Sequence, residues 1–447
     1  MAARPSDVGI LAIELYTPST YLDQTELEVF DKVARGKYLY GLGQLRLSVF
    51  GDREDVNSIS LTVLHNLLVK NNINPKQVGR LEVGTETLLD KSKSTKTVLM
   101  NLFKASGNMD VEGVTSLNAC FGGVQALYNT VAWIESSAWD GRLGVVVLAD
   151  IAVYPKGPAR ATNGGGAVAL LIGANAPLVL ESQRTSYVDD VYDFYKPDPS
   201  SEYPQLSGSY SIECYLTALS DCYTRLAARN GSKRVEEFAD FFCFHTPYYK
   251  MVKRAFNRLV HLDVLRHPEL HGKLGEMAKE RGLLFTDRNH YSVLDRYTEP
   301  LWHLRGEPAT TLGKTLGNLY SGALPASLLS LICDTSVDLL GKRVLMFSYG
   351  SGLAASMFVL YVKPDSANFI AQMRRNNPIR AILQARIKLN PEEFTRRMTK
   401  RERDYGRKNY QPEDPVAEIQ PGAFYLAKVD EKWRRFYEQK APGAPRL

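Results

Sequence analysis

The sequence predicts an α/β fold, in which sheets are covered by helices on both faces. Its strand-like segments are continuous apolar runs rather than alternating ones, which is typical of strands buried on both sides. The clearest runs are 8–15, 144–148, 167–172, 238–244, 344–347 and 356–362. Segments whose apolar residues recur at helical spacing lie between them, so strands and helices alternate along the chain.

An internal repeat is the second observation. Cys120 opens a predicted helix and lies 21 residues before Gly141, and Tyr320 does the same 21 residues before Gly341. In both places a strand, a glycine-rich turn and a second strand follow. A repeat of this length predicts two similar halves packed together, although two strand–turn–strand units can also resemble each other by chance.

We predict that the halves comprise residues 7–177 and 178–443. The first half has about fourteen extra residues between its two strands, at 150–163. An insertion at the carboxyl end of a strand is a natural substrate loop.

Composition bounds the class of protein. The chain has 447 residues and a net charge of +6, enough for a large core and too mild a basic excess to indicate a nucleic-acid binder. Five cysteines with no C-x-x-C pair argue against a disulfide framework or a zinc site, and the seven histidines show no metal-binding spacing. No run approaches ~18 apolar residues, so no membrane helix is expected. The N-terminus lacks the pattern of a targeting signal, and we expect a cytoplasmic protein.

Cys120 is the first candidate for chemistry. It lies between a short strand-like run, 114–117, and the glycines Gly122 and Gly123, which open a helix predicted over 124–139. The positive end of a helix dipole and unpaired N–H groups favour a thiolate, the nucleophilic form of the side chain. The alternative is a buried structural cysteine, a common fate of a free thiol.

Glu86 and His245 end two other predicted strands. Glu86 follows the strand-like run 80–85, and open α/β folds place their sites at the carboxyl ends of strands. His245 ends an apolar strand and precedes a helix over 248–260 that carries Lys250 and Arg254, an arrangement that suits a hydrogen-bond donor beside an anionic ligand. Taken alone, each is also compatible with a structural role, as a surface carboxylate or a satisfied strand-end histidine.

Asn318 precedes a helix predicted to run to about residue 332, and Ser351 lies in a Gly-Ser-Gly turn whose backbone N–H groups can bind an oxyanion. Each residue alone is weak evidence for a site, because Asn and Gly-Ser-Gly are common in turns. Together, Cys, His and Asn at equivalent junctions of a duplicated fold suit acyl transfer through a thioester. No phosphate-binding loop competes, since the glycines at 164–166 precede a strand and not a helix.

Three further segments complete the prediction. A helix is expected over 211–229 and a strand over 424–429. The basic run Arg396–Arg401, in a charge-rich region, is interpreted as a solvated helix face.

Many segments resemble the eukaryotic 3-hydroxy-3-methylglutaryl-CoA (HMG-CoA) synthase family. The matches span nearly the whole chain and are more specific than any one motif. They lie at 36–38, 41–44, 52–55, 79–87, 90–94, 118–120, 133–137, 192–197, 245–247, 317–320, 347–353 and 429–432.

The resemblance implies a thiolase-like, five-layered αβαβα fold and a homodimer. It implies condensation of acetyl-CoA with acetoacetyl-CoA in the mevalonate pathway, with no metal and no cofactor besides the CoA thioester substrates. By resemblance, Cys120 takes the acetyl group, Glu86 is the general base and His245 hydrogen-bonds the acetoacetyl ketone. Asn318 and the Ser351 backbone position thioester carbonyls. Further residues that match the family's substrate and CoA region are Ala34, Arg35, Tyr154, Thr162, Ser211, Lys250, Arg254 and Tyr320.

The chain departs from the family pattern in three places. Pro158 stands where the family usually has Asn, Tyr187 and Asp190 replace histidines, and Arg254 replaces a frequent Lys. We expect these changes to affect substrate affinity and not the reaction type.

Three other functions are compatible with parts of the pattern. A Cys-His-Asn ketoacyl synthase would release a ketone thioester, but such relatives lack the base at Glu86. A Cys-His hydrolase of the papain type would more often be secreted and disulfide-bonded. A non-catalytic scaffold would have no need to keep Cys120, Glu86 and His245 together.

Overall fold

The computed structural model describes residues 5–232 and 234–443. Its strands are β1 (Gly9–Tyr16), β2 (Thr20–Asp23), β3 (Arg46–Val49), β4 (Val78–Gly84), β5 (Thr115–Ser116), β6 (Leu143–Ala152), β7 (Gly164–Gly173), β8 (Leu178–Val188), β9 (Phe194–Tyr195), β10 (Gln205–Leu206), β11 (Phe241–Phe244), β12 (Arg343–Gly350), β13 (Ala354–Val362), β14 (Ile387–Leu389), β15 (Phe424–Val429) and β16 (Arg435–Gln439).

Helices alternate with these strands. They are α1 (Gln24–Phe30), α2 (Val56–Lys70), α3 (Thr95–Leu99), α4 (Gly122–Ile134), α5 (Gly208–Asn230), α6 (Val235–Phe238), α7 (Tyr249–Arg266), α8 (Gly272–Arg281), α9 (Arg288–Arg305), α10 (Thr311–Leu316), α11 (Ala323–Cys333), α12 (Ala367–Asn376), α13 (Ile379–Gln384) and α14 (Pro391–Asp404). Within the described ranges, no helix is both long and apolar enough to cross a bilayer.

A large mixed sheet runs through both halves of the chain, in the order β11-β12-β13-β8-β1-β7-β6-β4-β5. The two halves of the sheet meet where β1 pairs with β8 over only two residue pairs, Gly9 with Val179 and Ile10 with Leu178. Beyond that joint, Asn377 accepts from the Leu15 N–H at 3.0 Å and donates to the Ile13 carbonyl at 2.9 Å. A side chain therefore satisfies the backbone that the diverging strand β8 leaves unpaired.

The helices and the half-sheets form five layers. Helix α2 packs on β1, β6 and β7, and α4 packs on β4 and β6. Along β12, Val344 and Met346 belong to the core that contains α11, whereas Leu345 and Phe347 belong to the core that contains α5. Because side chains alternate across a strand, α11 and α5 cover opposite faces of the second half-sheet. A small cavity lined by both α4 and α11 shows that these helices share the central layer. The thiolase-like αβαβα fold is therefore confirmed.

The structure supports the duplication and corrects its loop. Gly141 and Gly341 both have left-handed backbone, with φ of 90° and 71°, and each is two residues before a strand, β6 or β12. Strand β6 continues to Ala152, so the inserted loop covers only residues 153–163. The division of domains at residue 177 stays a prediction; strand β8 begins at Leu178, just after that boundary.

Every predicted strand is present, but some bounds were wrong. Phe238 ends the short helix α6, and the strand that was predicted from 238 begins at Phe241. Helix α4 ends at Ile134 and not at Trp139, because the chain turns there and the Trp139 indole donates to the Arg142 carbonyl at 2.7 Å. Helix α7 continues beyond 260 to Arg266.

The interpretation of the basic run in α14 as a solvated face was wrong. Arg397 and Lys400 are buried because the segment 410–418 folds back over the helix. Arg397 pairs with Glu393 and Glu418, each at 2.7 Å, and Lys400 pairs with Asp52 at 2.6 Å. Hydrogen bonds, chiefly from Arg396, lower the pKa of Glu393 to about 2. The charges of α14 therefore hold the C-terminal segment against the first half.

Candidate active site

Glu86 and Cys120 meet at the junction of β4 and α4. Glu86 lies two residues after β4, and Cys120 lies two residues before α4. A Cβ atom on Gly84 would lie 2.4 Å from the Gly123 Cα, so glycines at these positions allow the strand to touch the start of the helix. The Cys120 thiol then donates to Glu86 Oε2 at 3.4 Å.

Asp150, inside β6, holds this junction together. Its buried carboxylate accepts from the Thr85 hydroxyl at 2.8 Å, from the Glu86 N–H at 2.9 Å and from the Ser321 N–H at 3.0 Å. It thus fixes the segment that carries Glu86 to the helix start of the second half. Asp150 was not among the predicted site residues; the signal in the sequence was an acidic side chain that continues the apolar run of β6.

Lys196 is the second residue that the sequence analysis missed. Its ammonium lies 2.9 Å from Glu86 Oε1 and 4.7 Å from the centre of the Tyr320 ring. The segment 192–197 had been noted for its resemblance, but it was given no role. A lysine beside a buried carboxylate cannot be found from spacing, because the two residues are far apart in sequence.

Burial dominates the electrostatics of the pair. It raises the pKa of Glu86, although the charge of Lys196 opposes the shift. Burial and then the Glu86 charge raise the pKa of Cys120 well above its usual value. The expectation that the helix start favours a thiolate was therefore wrong for the site without substrate, because desolvation and the neighbouring carboxylates outweigh the dipole. Glu86 is placed to accept the proton that Cys120 must lose.

A cavity of about 360 Å³ extends from Cys120 into the molecule. Its other walls are mostly apolar and include Leu42, Phe194 and Met251. Eight of the predicted site residues line it: Cys120, Tyr154, Thr162, Ser211, His245, Asn318, Tyr320 and Ser351. Residues that were singled out one by one in the sequence therefore share one cavity. Pro158, a departure from the family pattern, also lines it.

His245 lies at the end of β11 and is 3% exposed. Its backbone N–H donates to the Phe347 carbonyl at 2.7 Å, and its backbone carbonyl accepts from the Tyr215 hydroxyl at 2.9 Å. Burial lowers the pKa of its imidazole to about 3. The ring is therefore neutral near pH 7, with one nitrogen able to donate a hydrogen bond and the other able to accept one.

Asn318 and Ser351 are held by their neighbours. Asn318 Oδ1 accepts from the Tyr320 N–H at 2.9 Å, and the Ser351 carbonyl accepts from the Asn118 side chain at 3.3 Å. Ser351 also lines a second cavity of about 690 Å³, which contains Glu86 and Lys196. Cys120 lines the first cavity and Glu86 the second, so their contact lies where the two cavities approach each other.

The other predicted contacts lie outside the walls of the first cavity. Ala34, Arg35 and Lys250 are exposed, and the Lys250 N–H donates at 3.0 Å to the carbonyl of Leu42, a wall residue. The Arg254 guanidinium packs on the rings of Phe285 and Tyr291, 5.6 and 5.8 Å from their centres. Their predicted contacts with CoA stay predictions.

Comparison with known proteins agrees with this geometry. The family model described as hydroxymethylglutaryl-coenzyme A synthase N terminal matches residues 4–177, and the corresponding C-terminal model matches residues 178–440. The chain belongs to the hydroxymethylglutaryl-CoA synthase family. Hydroxymethylglutaryl-CoA synthase A of Dictyostelium discoideum is 45% identical over 98% of this chain and 91% of its own length.

Further hydroxymethylglutaryl-CoA synthases are similar over comparable lengths. The enzyme of Saccharomyces cerevisiae is 42% identical over 98% of this chain and 91% of its own. The solved structure of MvaS in complex with 3-hydroxy-3-methylglutaryl coenzyme A has a TM-score of 0.83 and 29% identity, covering 98% of this chain and all of the other.

Proposed function

We propose that this protein is an acyltransferase that condenses acetyl-CoA with acetoacetyl-CoA and water, giving (S)-3-hydroxy-3-methylglutaryl-CoA and CoA. The observation that carries the proposal is the 3.4 Å contact between the Cys120 thiol and the Glu86 carboxylate, at a cavity that also contains His245. This condensation needs a nucleophile and, in the same site, a base that can remove a proton from carbon. Membership of the family supports the same activity.

In the first step, the Cys120 sulfur attacks the acetyl carbonyl carbon of acetyl-CoA. The raised pKa of the thiol requires a proton acceptor, and Glu86 is within reach. The bond between the acetyl group and CoA sulfur then breaks, and the CoA thiolate takes the proton from Glu86. The base is left as a carboxylate beside an acetyl thioester on Cys120.

In the second step, Glu86 removes a proton from the methyl group of that thioester. The resulting carbanion attacks the ketone carbon of acetoacetyl-CoA, and the new alkoxide takes the proton from Glu86, which becomes a carboxylate again. His245 donates a hydrogen bond to the ketone oxygen as a neutral imidazole, since its pKa of about 3 keeps it uncharged. Water finally cleaves the thioester to Cys120, releases the product as a free carboxylate and returns the proton to the thiol.

The alternatives differ at identifiable steps. A ketoacyl synthase would release a ketone thioester and consume no water. A hydrolase would release acetate without using acetoacetyl-CoA, and a scaffold would not be acylated. The Glu86 carboxylate beside Cys120 favours the condensing enzyme over all three.

We also propose that the enzyme is a cytoplasmic homodimer, that it needs no metal or other cofactor, and that it serves the mevalonate pathway. One relative, from Bos taurus, is a mitochondrial form, so the compartment needs its own test. Light scattering would give the oligomeric state, and cell fractionation would give the compartment. Activity that survives exhaustive chelation would show that no metal is needed.

The main experiment follows both half-reactions. Incubation with acetyl-CoA should add one acetyl group to the peptide that contains Cys120, as seen by mass spectrometry. Adding acetoacetyl-CoA should then remove that group while the acetoacetyl-CoA absorbance falls and HMG-CoA forms. An unlabelled Cys120, or a labelled enzyme that yields only acetate, would contradict the proposal.

A further inference from the structure

The carboxylate of Glu86 is held on both of its oxygens by different groups. Oε2 accepts from the Cys120 thiol at 3.4 Å, and Oε1 lies 2.9 Å from the Lys196 ammonium. Lys196 lines the second cavity together with Glu86, whereas His245 lines the first. The orientation of the base toward Cys120 therefore depends on two contacts, one of which belongs to a residue with no role in the steps above.

Lys196 is itself held by aromatic rings. Its ammonium lies 4.7 Å from the centre of the Tyr320 ring and 5.7 Å from that of Phe194. These two rings pack edge to face with each other and with Tyr154, at centroid distances of 6.0 and 6.4 Å. A cation over an aromatic face is stabilised by the ring quadrupole, so the ammonium has a fixed place whether or not Glu86 is ionised.

A second ion pair anchors the segment that carries Lys196. Glu202 lines the same cavity and pairs with Arg401 of α14 at 2.6 Å. Glu202 also contributes to the field that keeps Lys196 charged. The segment 192–202 is therefore held at Glu86 by the Lys196 ion pair and at α14 by the Glu202 ion pair.

We propose that Lys196 is a positioning residue that orients Glu86 and keeps it ionised for proton abstraction, a role that rests on the function proposed above. The groups that face Glu86 are Asp150, Cys120, Tyr154, Tyr320 and Lys196, and the last of these supplies positive charge. Lys91 and Arg435 line the same cavity, but Arg435 pairs with Asp55 at 3.0 Å.

The direction of the effect follows from the charges. Burial and the Asp150 carboxylate raise the pKa of Glu86, and Lys196 opposes both. Removing the ammonium leaves only the Cys120 hydrogen bond to oppose the upward influences, and acetylation of the thiol removes that bond, so Glu86 would be protonated up to a higher pH. The acid limb of the condensation rate would then move to higher pH.

The test uses enzyme that has already been acetylated on Cys120, so that ionisation of the thiol does not enter. In Lys196→Met, single-turnover condensation with acetoacetyl-CoA should fall about ten- to a hundredfold at pH 7, a fraction of the general-base effect. The acid limb should move to higher pH, and part of the loss should be recovered as the pH is raised. Lys196→Arg, which keeps the charge, should leave the limb near its wild-type position.

Lys91→Met is the matched control, since Lys91 lines the same cavity, whereas the ammonium that pairs with Glu86 belongs to Lys196. It should leave the pH profile unchanged. Lys196→Gln keeps a hydrogen-bond donor without the charge, and it serves as a second variant if Lys196→Met is thermally unstable. It should shift the acid limb of the pH profile in the same direction.

An unshifted limb in both Lys196→Met and Lys196→Gln would overturn the inference, as would an equal shift in Lys91→Met. These outcomes differ from failure of the proposed function. If wild-type protein neither becomes acetylated nor forms HMG-CoA, the proposed function is wrong. If the wild type does both and the Lys196 variants keep its pH profile, only this inference is contradicted.

Discussion

The two turns that open α4 and α11 occupy comparable places in the two halves but carry different chemistry. Each contains a non-glycine residue with left-handed backbone, Ala119 at φ 43° and Tyr320 at φ 46°. Such strain is tolerated where the surroundings hold it, often at functional sites. The first turn presents a thiol beside a carboxylate, whereas the second presents a phenol and the Asn318 amide.

The difference teaches how a duplicated fold divides its work. The first half supplies the groups that exchange protons and form a covalent bond, Glu86 and Cys120. The second half supplies His245, Asn318 and Ser351, which surround the same cavity without a nucleophile. Asp150 joins them, since it hydrogen-bonds the Glu86 segment and Ser321. Substitutions in the first half should therefore impair acylation or proton transfer, and those in the second half should impair binding and polarisation of the second substrate.

The largest effect is expected at Cys120. In Cys120→Ala, no acetyl-enzyme should form, because the acyl carrier itself is missing. Tryptic peptides analysed after incubation with labelled acetyl-CoA would measure this, with Cys333→Ala as a control that retains the nucleophile. Label persisting on the Cys120→Ala protein would show that another group carries the acetyl chain.

Glu86→Gln should separate the covalent step from the condensation. Acetylation of Cys120 should slow, because Glu86 takes the thiol proton, but it should still go to completion with solvent as the acceptor. Formation of HMG-CoA should fall by about 10²–10⁴-fold, the usual contribution of a general base. Acetyl-enzyme by mass, free acetate, and loss of acetoacetyl-CoA absorbance together give the three rates. Normal condensation would remove Glu86 from its role in the second step, and loss of acetylation alone would confine it to the first.

His245→Ala should impair the half-reaction of the second substrate. Acetoacetyl-CoA binding and condensation should weaken by roughly 10²-fold, as for the loss of an oxyanion donor, with acetylation changed far less. Because the imidazole pKa is about 3, its charge changes only well below neutrality, so the acid limb between pH 5 and 7 should not move. Equal losses in both half-reactions would instead assign His245 to activation of the thiol.

Lys250→Met should give the smallest effect. The side chain is exposed near the cavity wall, so we expect it to attract the phosphates of CoA over distance. A few-fold rise in KM for the CoA substrates at low salt should shrink as the screening length falls to ~10 Å at 0.1 M.

Lys253→Met on the same helix is the control for that prediction, because Lys253 is paired with Asp295 at 3.1 Å. It should change KM less. A salt-independent effect at Lys250 would refute long-range attraction.

The sequence revealed most of the fold because local signals were strong. The apolar runs of β1, β6, β7, β12 and β13 were visible directly. The exact ends of α4 and α7 were not, since packing and turns after the helix set them. The burial of Arg397 and Lys400 was missed because their partners include Asp52 and Glu418, which approach only in the folded chain.

The candidate site was predictable to the same extent. Cys120, Glu86 and His245 lie at ends of elements, where position along the chain already indicates a site. Lys196 and Asp150 were missed because their importance lies in contacts across space. The protonation of Cys120 was predicted with the wrong sign, since the depth of burial and the distance to Glu86 are properties of the assembled site.

The joint between β1 and β8 has a consequence for the order in which the chain folds during synthesis. Asn377 completes the hydrogen bonding of Ile13 and Leu15, and Lys400 pairs with Asp52. These partners are separated by more than three hundred residues, so β1 and the loop before α2 finish packing only after α12 and α14 have left the ribosome. Contacts of such long range slow folding and prolong the exposure of apolar strands. The apolar strands of a nascent chain should therefore stay incompletely covered until α12 and α14 emerge.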